Sequence, residues 1–427
     1  MIKENKKHCK LSFRIIVCLL LTLVLICGFV FFKGELSMLK SNAKINGIEA
    51  YQKTAEQIAV PNNCKIVALG EATHGNFEFQ EMKLSIFKHL VNNYGVKAFA
   101  LEADFGEGIF INEFIHGGSG TAKEAVSNLS FEIYHTQSFM DLIQWMRDYN
   151  ETAAEKDKLS FYGFDMQNPS CNAQLLMAQC TNEEDKKAIL PLASKEQLSF
   201  ANPDVQAAFS AVEKIKNTVE NPLAKQAAQN IMSAYDYYKE YQSNIVGASA
   251  LRDYAMAQNV AWISEYENKK GNSCIFIAAH NGHVAHKGSS VLYEKNMGSH
   301  LTYKYGNAYF VIGTDYYKSV CASKGNSGWK SYRVYSEDKL AAQAKNTPNN
   351  MYYLDFSDVT EESGSLFGII HSPMEMGNFA PGGYSLLNAL YIAARPSLTR
   401  QTETPADLYD AMYFVYNASP IKVLNLN

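Results

Sequence analysis

The sequence predicts an α/β fold with a central, largely parallel sheet flanked by helices, and two observations carry that prediction. Short apolar runs alternate with helical patterns, beginning with a strand–helix–strand unit over residues 65–104. The runs end repeatedly in an acid or a histidine, as strand ends on a ligand-binding edge do.

The first run, Lys65 to Gly70, stops at Glu71-Ala-Thr-His74-Gly75. Phe79, Met82, Ile86 and Leu90 then recur at helical spacing, and Gly95 is a C-terminal stop. A second run, Val96 to Leu101, ends at Glu102. Because such a crossover makes its two strands parallel, both C-terminal ends fall on one edge, and Glu71, His74 and Glu102 converge.

The same punctuation continues. A helical stretch over 106–115 precedes the loop Gly117-Gly-Ser-Gly120, and a helix centred on Phe139 to Tyr149 precedes the strand Leu159 to Phe164, which stops at Asp165. Residues 182–243 are alanine- and lysine-rich without a strand-like run, so they read as a helical insertion or cap divided by Pro191, Pro203 and Pro222. Arg252 to Tyr266 forms another amphipathic helix. Cys274 to Ala279 is a fourth strand ending in His280-Asn-Gly-His283, and Tyr309 to Ile312 a fifth ending in Gly313-Thr-Asp315. Farther on, Met351 to Phe356 reads as a strand and Pro381-Gly-Gly383 as a turn. Before the first strand, Ile45 to Ile58 is a candidate amphipathic helix.

The first fourteen residues hold Lys3, Lys6, Lys7, Lys10 and Arg14 against Glu4, while the whole chain carries a formal charge of −4. A basic nucleic-acid footprint is absent, and no nucleic-acid partner is expected. Residues 15–32 lack any charge and would extend about 27 Å as a helix, enough to cross most of a bilayer core. The chain therefore reads as a basic cytoplasmic N-terminus (1–14), a transmembrane anchor (15–32), a linker (33–44) and an extracytoplasmic domain (45–427) of a single-pass membrane protein. Of eight cysteines, Cys171 and Cys180 form the one locally plausible disulfide for an oxidising compartment.

Five apolar runs thus end in Glu71 with His74, Glu102, Asp165, His280 with His283, and Asp315. Acids are ordinary helix caps, but His280 and Glu102 are poor ones, so capping does not account for the set. A histidine beside a carboxylate is suited to take a proton near neutral pH, and either Glu71 or Glu102 could serve His74 in this way. No Gly-x-Ser-x-Gly elbow occurs, and Cys274 starts rather than ends its strand, so water is the expected nucleophile. Three histidines and two glutamates could also hold a divalent metal, but the spacing matches neither His-Glu-x-x-His nor a cysteine-pair signature; no cofactor is expected, and a divalent ion remains the alternative. Lys83 and Arg252 are candidate contacts for substrate oxygens.

Together, Gly70-Glu71-Ala-Thr-His74-Gly75 with Lys83, Leu101-Glu102-Ala, Gly163-Phe-Asp165, Arg252 with Met256-Ala-x-Asn259, and Ala279-His280-Asn281-x-His283 resemble the ordered motifs of the erythromycin esterase family. The resemblance runs from about residue 46 to 320 and fades toward the C-terminus. It implies an α/β hydrolase with helical additions that opens an ester or lactone, macrolides in the best-studied members, by histidine-activated water. Carried onto this chain, His74 is the base, Glu71 and Glu102 orient and charge it, and His280 and His283 line the cleft and polarise the ester. Lys83, Asp165, Arg252 and Asn281 become the substrate-binding set. Lys83 stands where resistance enzymes often have arginine, replacing a planar clamp with a point charge. Haem- or iron-associated relatives in the wider superfamily suggest an alternative, a non-catalytic or cofactor-binding surface protein using the same cleft.

Overall fold

A computed structural model describes residues 15–26, 28, 44–194, 202–288, 295–325, 327–336, 338–372, 376–377, 400–401 and 403–426. Its centre is one eight-stranded sheet: β1 (Ile66–Glu71), β2 (Ala98–Asp104), β3 (Ser160–Asp165), β4 (Ile275–His280), β5 (Tyr309–Gly325), β6 (Gly328–Tyr335), β7 (Met351–Asp355) and β8 (Ala411–Ala418). The order is β3-β2-β4-β1-β5-β8-β7, with β6 paired to the outer part of β5. Every pairing from β3 across to β8 is parallel; β7 on β8 and β6 on β5 are antiparallel.

Strands β1 to β4 are buried along almost their whole length because both faces are covered. Val67, Leu69, Phe99, Leu101, Phe276 and Ala278 point into one core, shared with Phe79, Met82, Ile86, Phe87 and Leu90 of α1 (Phe77–Tyr94). Their alternate neighbours Ile66, Ala68, Ala98, Ala100, Ile275 and Ile277 point into the other. Each fully buried leucine, isoleucine or phenylalanine in these layers is worth about 1.5–3 kcal/mol of transfer free energy, so a slip of one residue in register would exchange the faces and forfeit both cores. Gly95, at φ 65°, ends α1 in the left-handed conformation that a side chain resists.

Helices that build the layers around the sheet include, in order, α2 (Phe105–Ile115), α3 (Gln137–Thr152), α4 (Pro169–Gln179), α5 (Glu183–Ile189), α6 (Pro203–Ile215), α7 (Pro222–Tyr241), α8 (Ile245–Lys269), the single turn α9 (Asn281–Val284) and α10 (Met297–Tyr305). The expected insertion is helical. Pro203 and Pro222 open α6 and α7, where a missing N–H costs nothing, and Asn202 and Asn221 cap the same helices. Its small core of Leu176, Ile189, Phe209, Val212 and Ile231 reaches back to α4, so the unit begins before residue 182.

Several expectations change. Ile45 to Ile58 yields only the short turns Ile48–Ala50 and Ala55–Gln57 in place of a helix. β5 does not stop at Gly313 but continues to Gly325, turns, and returns as β6. The C-terminal hundred residues supply β7 and β8, and β8 lies inside the sheet, parallel to β5. Cys171 and Cys180 form no disulfide with one another; one lies in the first turn of α4 and the other just past its end, and nine residues of helix separate them by about 13 Å. Pro381-Gly-Gly383 lies outside the described residues. Of the expected anchor, residues 15–26 are helical, with Leu19, Val24 and Leu25 exposed, and 27 and 29–32 lie outside the described residues, as do 1–14. Among the described residues no helix is long and apolar enough to cross a membrane.

Candidate active site

Parallel pairing of β3, β2, β4 and β1 brings their C-terminal ends to one edge, with Glu71 paired to His280 and Asp104 to Asp165 in register. The turn after β1 is gripped from two sides. Gly70 has no room for a side chain because the Asn281 amide and Val284 fill that space, and a Cβ on Gly75 would strike the backbone of Ala322. The amide N–H of Ala322 donates to Gly75 O at 3.0 Å, and Asn76 donates to Ser319 Oγ, Val320 O and Ser419 O. The outer half of β5 is thus the wall that fixes this turn.

Within the turn, His74 Nδ1 lies 2.7 Å from Glu71 Oε1, and Lys83 Nζ donates to the other carboxylate oxygen, Glu71 Oε2. Burial pushes the Glu71 carboxyl upward, but the charges of Lys83 and His74 outweigh it and hold the group below its ordinary value. His74 keeps 35% of its side chain exposed, against 2% for Lys83. Lys83 therefore faces the acid, not the cleft, which corrects its expected role as a substrate contact.

A second cluster stands beside the first. Arg252, from α8, donates through Nη2 to Glu102 Oε1 and Asp165 Oδ2, each at 2.7 Å, and through Nε to both Asp165 oxygens. Its Nη1 is 3.2 Å from His283 Nε2, which is also 3.3 Å from Glu102 Oε1. His283 Nδ1 meets Asp253 Oδ1 at 2.7 Å. Burial opposes charge on His283, yet the carboxylates of Asp253 and Glu102 prevail and raise it above the ordinary histidine value. Burial likewise opposes charge on Glu102, and His283 and Arg252 hold it well below the carboxylate range. Glu102 accordingly serves Arg252, His283 and the His280 N–H, at 2.9 Å for the last, and makes no hydrogen bond to His74. Of the two candidate partners for His74, the structure supplies Glu71.

His280 joins the clusters. Its ring centroid is 5.0 Å from that of His74 and 6.3 Å from that of His283. Burial first, then the neighbouring charges of His74 and His283, push it down to about 3, so it is neutral. Gly282 N–H donates to His280 Nδ1 at 3.1 Å, which leaves the neutral ring's proton on Nε2.

Asn281, expected to bind substrate, is fully buried: its Nδ2 donates to Thr314 O at 2.7 Å and its Oδ1 accepts from Thr314 N at 3.2 Å. It latches the β4 end to β5. Asp165 is likewise consumed by Arg252 and by Met166 N–H. Asp315 is not at a strand end; it sits within β5, accepting from Ser336 Oγ at 2.7 Å.

Reading by strand ends missed Asp253, a buried acid that follows Arg252 directly in α8, and Glu107, and it gave no role to Asp104, the last residue of β2. Asp104 accepts from Gly106 N and Asn168 N, both at 3.0 Å, and from Asn172 Nδ2 at 2.6 Å. Burial, with the adjacent charges of Glu107 and Asp165, raises it far above the usual carboxylate value. Tyr237 and Tyr238 of α7 bond Gln167, two residues beyond Asp165, so the helical insertion touches this edge. Among the described residues no group of three or more His, Cys, Asp or Glu is arranged to hold a metal ion. A separate groove of about 600 Å³ beside α3, lined by Met140, Gln144, Leu424 and Leu426, shares no residue with the cluster.

The chain is 24% identical over 313 residues to erythromycin esterase type II of Escherichia coli, covering 61% of this chain and 70% of that protein. It is 23% identical over 350 residues to YbfO of Bacillus subtilis (strain 168), provisionally named a hydrolase, covering 70% and 76%. In fold it resembles a crystal structure described as a succinoglycan biosynthesis protein, at TM-score 0.71 and 20% identity over 91% of this chain and 98% of that one. It also resembles a histidine-to-asparagine mutant of the erythromycin esterase EreC in its open conformation, at TM-score 0.60 and 17% identity over 85% and 93%. The family model for erythromycin esterase matches residues 91–417, which takes in Glu102, Asp165, Arg252, His280 and His283. The match continues well past residue 320, through β6, β7 and β8, while Glu71, His74 and Lys83 precede it. On that match, the chain belongs to the erythromycin esterase family.

Proposed function

We propose that this protein hydrolyses an ester or lactone by attack of water activated by His74. Family membership supports a hydrolase acting on a small molecule. The observation that carries the finer reading is the His74 Nδ1–Glu71 Oε1 contact of 2.7 Å, with Lys83 behind the carboxylate. Glu71 accepts the Nδ1 proton and leaves the Nε2 lone pair of His74 for a water proton; among the described residues Nε2 has no hydrogen-bond partner. His280, neutral with its proton on Nε2, is the donor for the carbonyl oxygen as negative charge develops there. The positive charges of Arg252 and His283 favour the same tetrahedral anion. Collapse then returns the proton from His74 to the departing alkoxide, so base and acid are one residue.

No resident metal is part of this proposal. The Glu71 and Glu102 oxygens and His283 Nδ1 already accept from or donate to protein groups. The charge-free run 15–32, preceded by a lysine-rich segment, is proposed to anchor the domain on the extracytoplasmic side. Carbonate extraction and protease access to intact cells test that placement; release by carbonate without prior cleavage would end it.

The deciding experiment is turnover of a panel of aryl esters and macrolactones by the wild type, the His74→Ala variant and chelator-treated protein. Turnover lost in His74→Ala and retained after chelation is expected. Hydrolysis that survives the substitution would remove His74 as the base.

A further inference from the structure

Two cysteines lie at the sheet edge opposite the histidines. Cys64 lies two positions before the start of β1, and Cys274 directly precedes β4. The strands are parallel neighbours with Ile66 paired to Ile275, and Ile275 N–H donates to Lys65 O at 3.0 Å. Each cysteine is therefore adjacent in sequence to one side of a backbone hydrogen bond joining the two strands. The register puts Cys274 opposite Lys65, one residue short of Cys64; with strands about 4.8 Å apart and about 3.3 Å per residue, the two Cα atoms fall about 6 Å apart, within the range of about 4.4–6.8 Å that a disulfide spans. Each thiol donates to the backbone of its own strand, Cys64 Sγ to Ile66 O at 3.2 Å and Cys274 Sγ to Ile275 O at 3.7 Å, and each is a neighbour that shifts the acidity of the other. Cys64 is buried in the core cluster against which the partly buried Cys274 packs, and both are free thiols.

We propose that Cys64 and Cys274 are an oxidisable pair that closes a disulfide between β1 and β4. These are the strands that deliver Glu71 with His74, and His280 with His283, to the candidate site. The bond would tie the two halves of that site at their far ends. It is a different pairing from Cys171 and Cys180, which the course of α4 holds apart. It does not rest on the hydrolase reading.

The oxidant is a low-molecular-weight disulfide such as oxidised glutathione. One cysteine thiolate attacks it, forming a mixed disulfide and releasing one glutathione thiolate, which takes up a proton. The second cysteine loses its proton, attacks the protein-bound sulfur and expels the second glutathione. Two protein thiols are oxidised, one small disulfide is reduced, and one sulfur–sulfur bond replaces another. The neighbouring Cys274 thiol lowers the Cys64 thiol below its ordinary value, in keeping with Cys64 as the initiating nucleophile. The closed loop runs from before β1 to β4, long enough for cross-linking to restrict the unfolded chain strongly. In an oxidising compartment the bond persists; in a reducing one it stays open.

The full-length chain would be equilibrated with oxidised glutathione, alkylated under denaturing conditions and mapped by peptide mass spectrometry, beside a dithiothreitol-reduced sample. The expected result is a linked Cys64–Cys274 peptide, lighter by two hydrogens than its separate parts, and a melting temperature several degrees above that of the reduced protein. Cys274→Ser should show neither, with Cys64 then alkylated or glutathionylated. Full alkylation of both cysteines in the oxidised wild type would overturn the proposal, as would either cysteine joined predominantly to another partner. Because the mapping uses the unmodified chain, it decides the matter even where a variant fails to fold.

Discussion

His74 Nδ1 stands 2.7 Å from Glu71 Oε1, and the opposite oxygen of that carboxylate accepts from Lys83 Nζ. The pair orients an exposed imidazole from a buried, charge-compensated acid. A general base so placed contributes about 10²–10⁴-fold to a hydrolytic rate. His74→Ala should therefore lower kcat by that range with KM little changed and the melting temperature preserved, since the ring is the most exposed part of the site. A fall in the melting temperature matching the fall in rate would instead mark a structural histidine.

Lys83 separates support from substrate contact. Its ammonium is buried against Glu71, so Lys83→Met should strand a buried carboxylate and cost about 3–5 kcal/mol in stability. The double variant with Glu71→Gln should recover much of that loss, because no uncompensated charge remains. Urea unfolding of the two single variants and the double variant measures the coupling; additive losses would show that the two side chains do not interact.

Two of the site's ionisations set opposite pH dependences of stability. Glu71 is held below its ordinary 4.5, so its contribution is present above 4.5 and is lost as pH falls through its lower folded value. His283 is held above its ordinary 6.5, so its contribution is complete below 6.5 and is lost as pH rises through its higher folded value. Unfolding free energy should decline on both sides. In Asp253→Asn the alkaline decline should shrink, since the carboxylate that raises His283 is gone. An unchanged alkaline limb in a pH series of denaturant titrations would assign it to another group.

Much of this site is legible in the sequence because parallel crossovers put successive strand ends on one edge. That rule places Glu71, Glu102, Asp165 and His280 without any coordinates. It does not say which partner each takes. Glu102 belongs to Arg252 and His283, and not to His74, because α8 packs across β3 and carries its guanidinium between Glu102 and Asp165. Asp253 stayed hidden since an acid on a long, polar-sided helix reads as solvated until its helix is docked. β5 was cut short because Gly313-Thr-Asp315 has the composition of a strand end, whereas Asp315 is buried with Ser336 in mid-strand. β8 pairs with a strand that ends about ninety residues earlier, so local pattern gives its neighbour no signature.

Asn281 is the clearest case of a motif residue whose work is internal. Both ends of its amide bond Thr314, and its side chain occupies the space that Gly70 leaves open. Asn281→Ala would leave a buried N–H and C=O of β5 without partners, at about 1–3 kcal/mol each, and would loosen the turn that holds His280 and His283. Lower denaturant resistance and a reduced kcat are expected together, with KM for the smallest ester unchanged because the amide touches no ligand. Gly70→Ala should act on the same contact from the other side, its Cβ displacing the Asn281 amide. The double variant Gly70→Ala/Asn281→Ala should then be less impaired than the sum of the two single changes, since alanine at 281 removes the atom with which the new Cβ collides. Strict additivity of the two losses in unfolding free energy would separate the two positions and leave the close approach at Gly70 without consequence for the site.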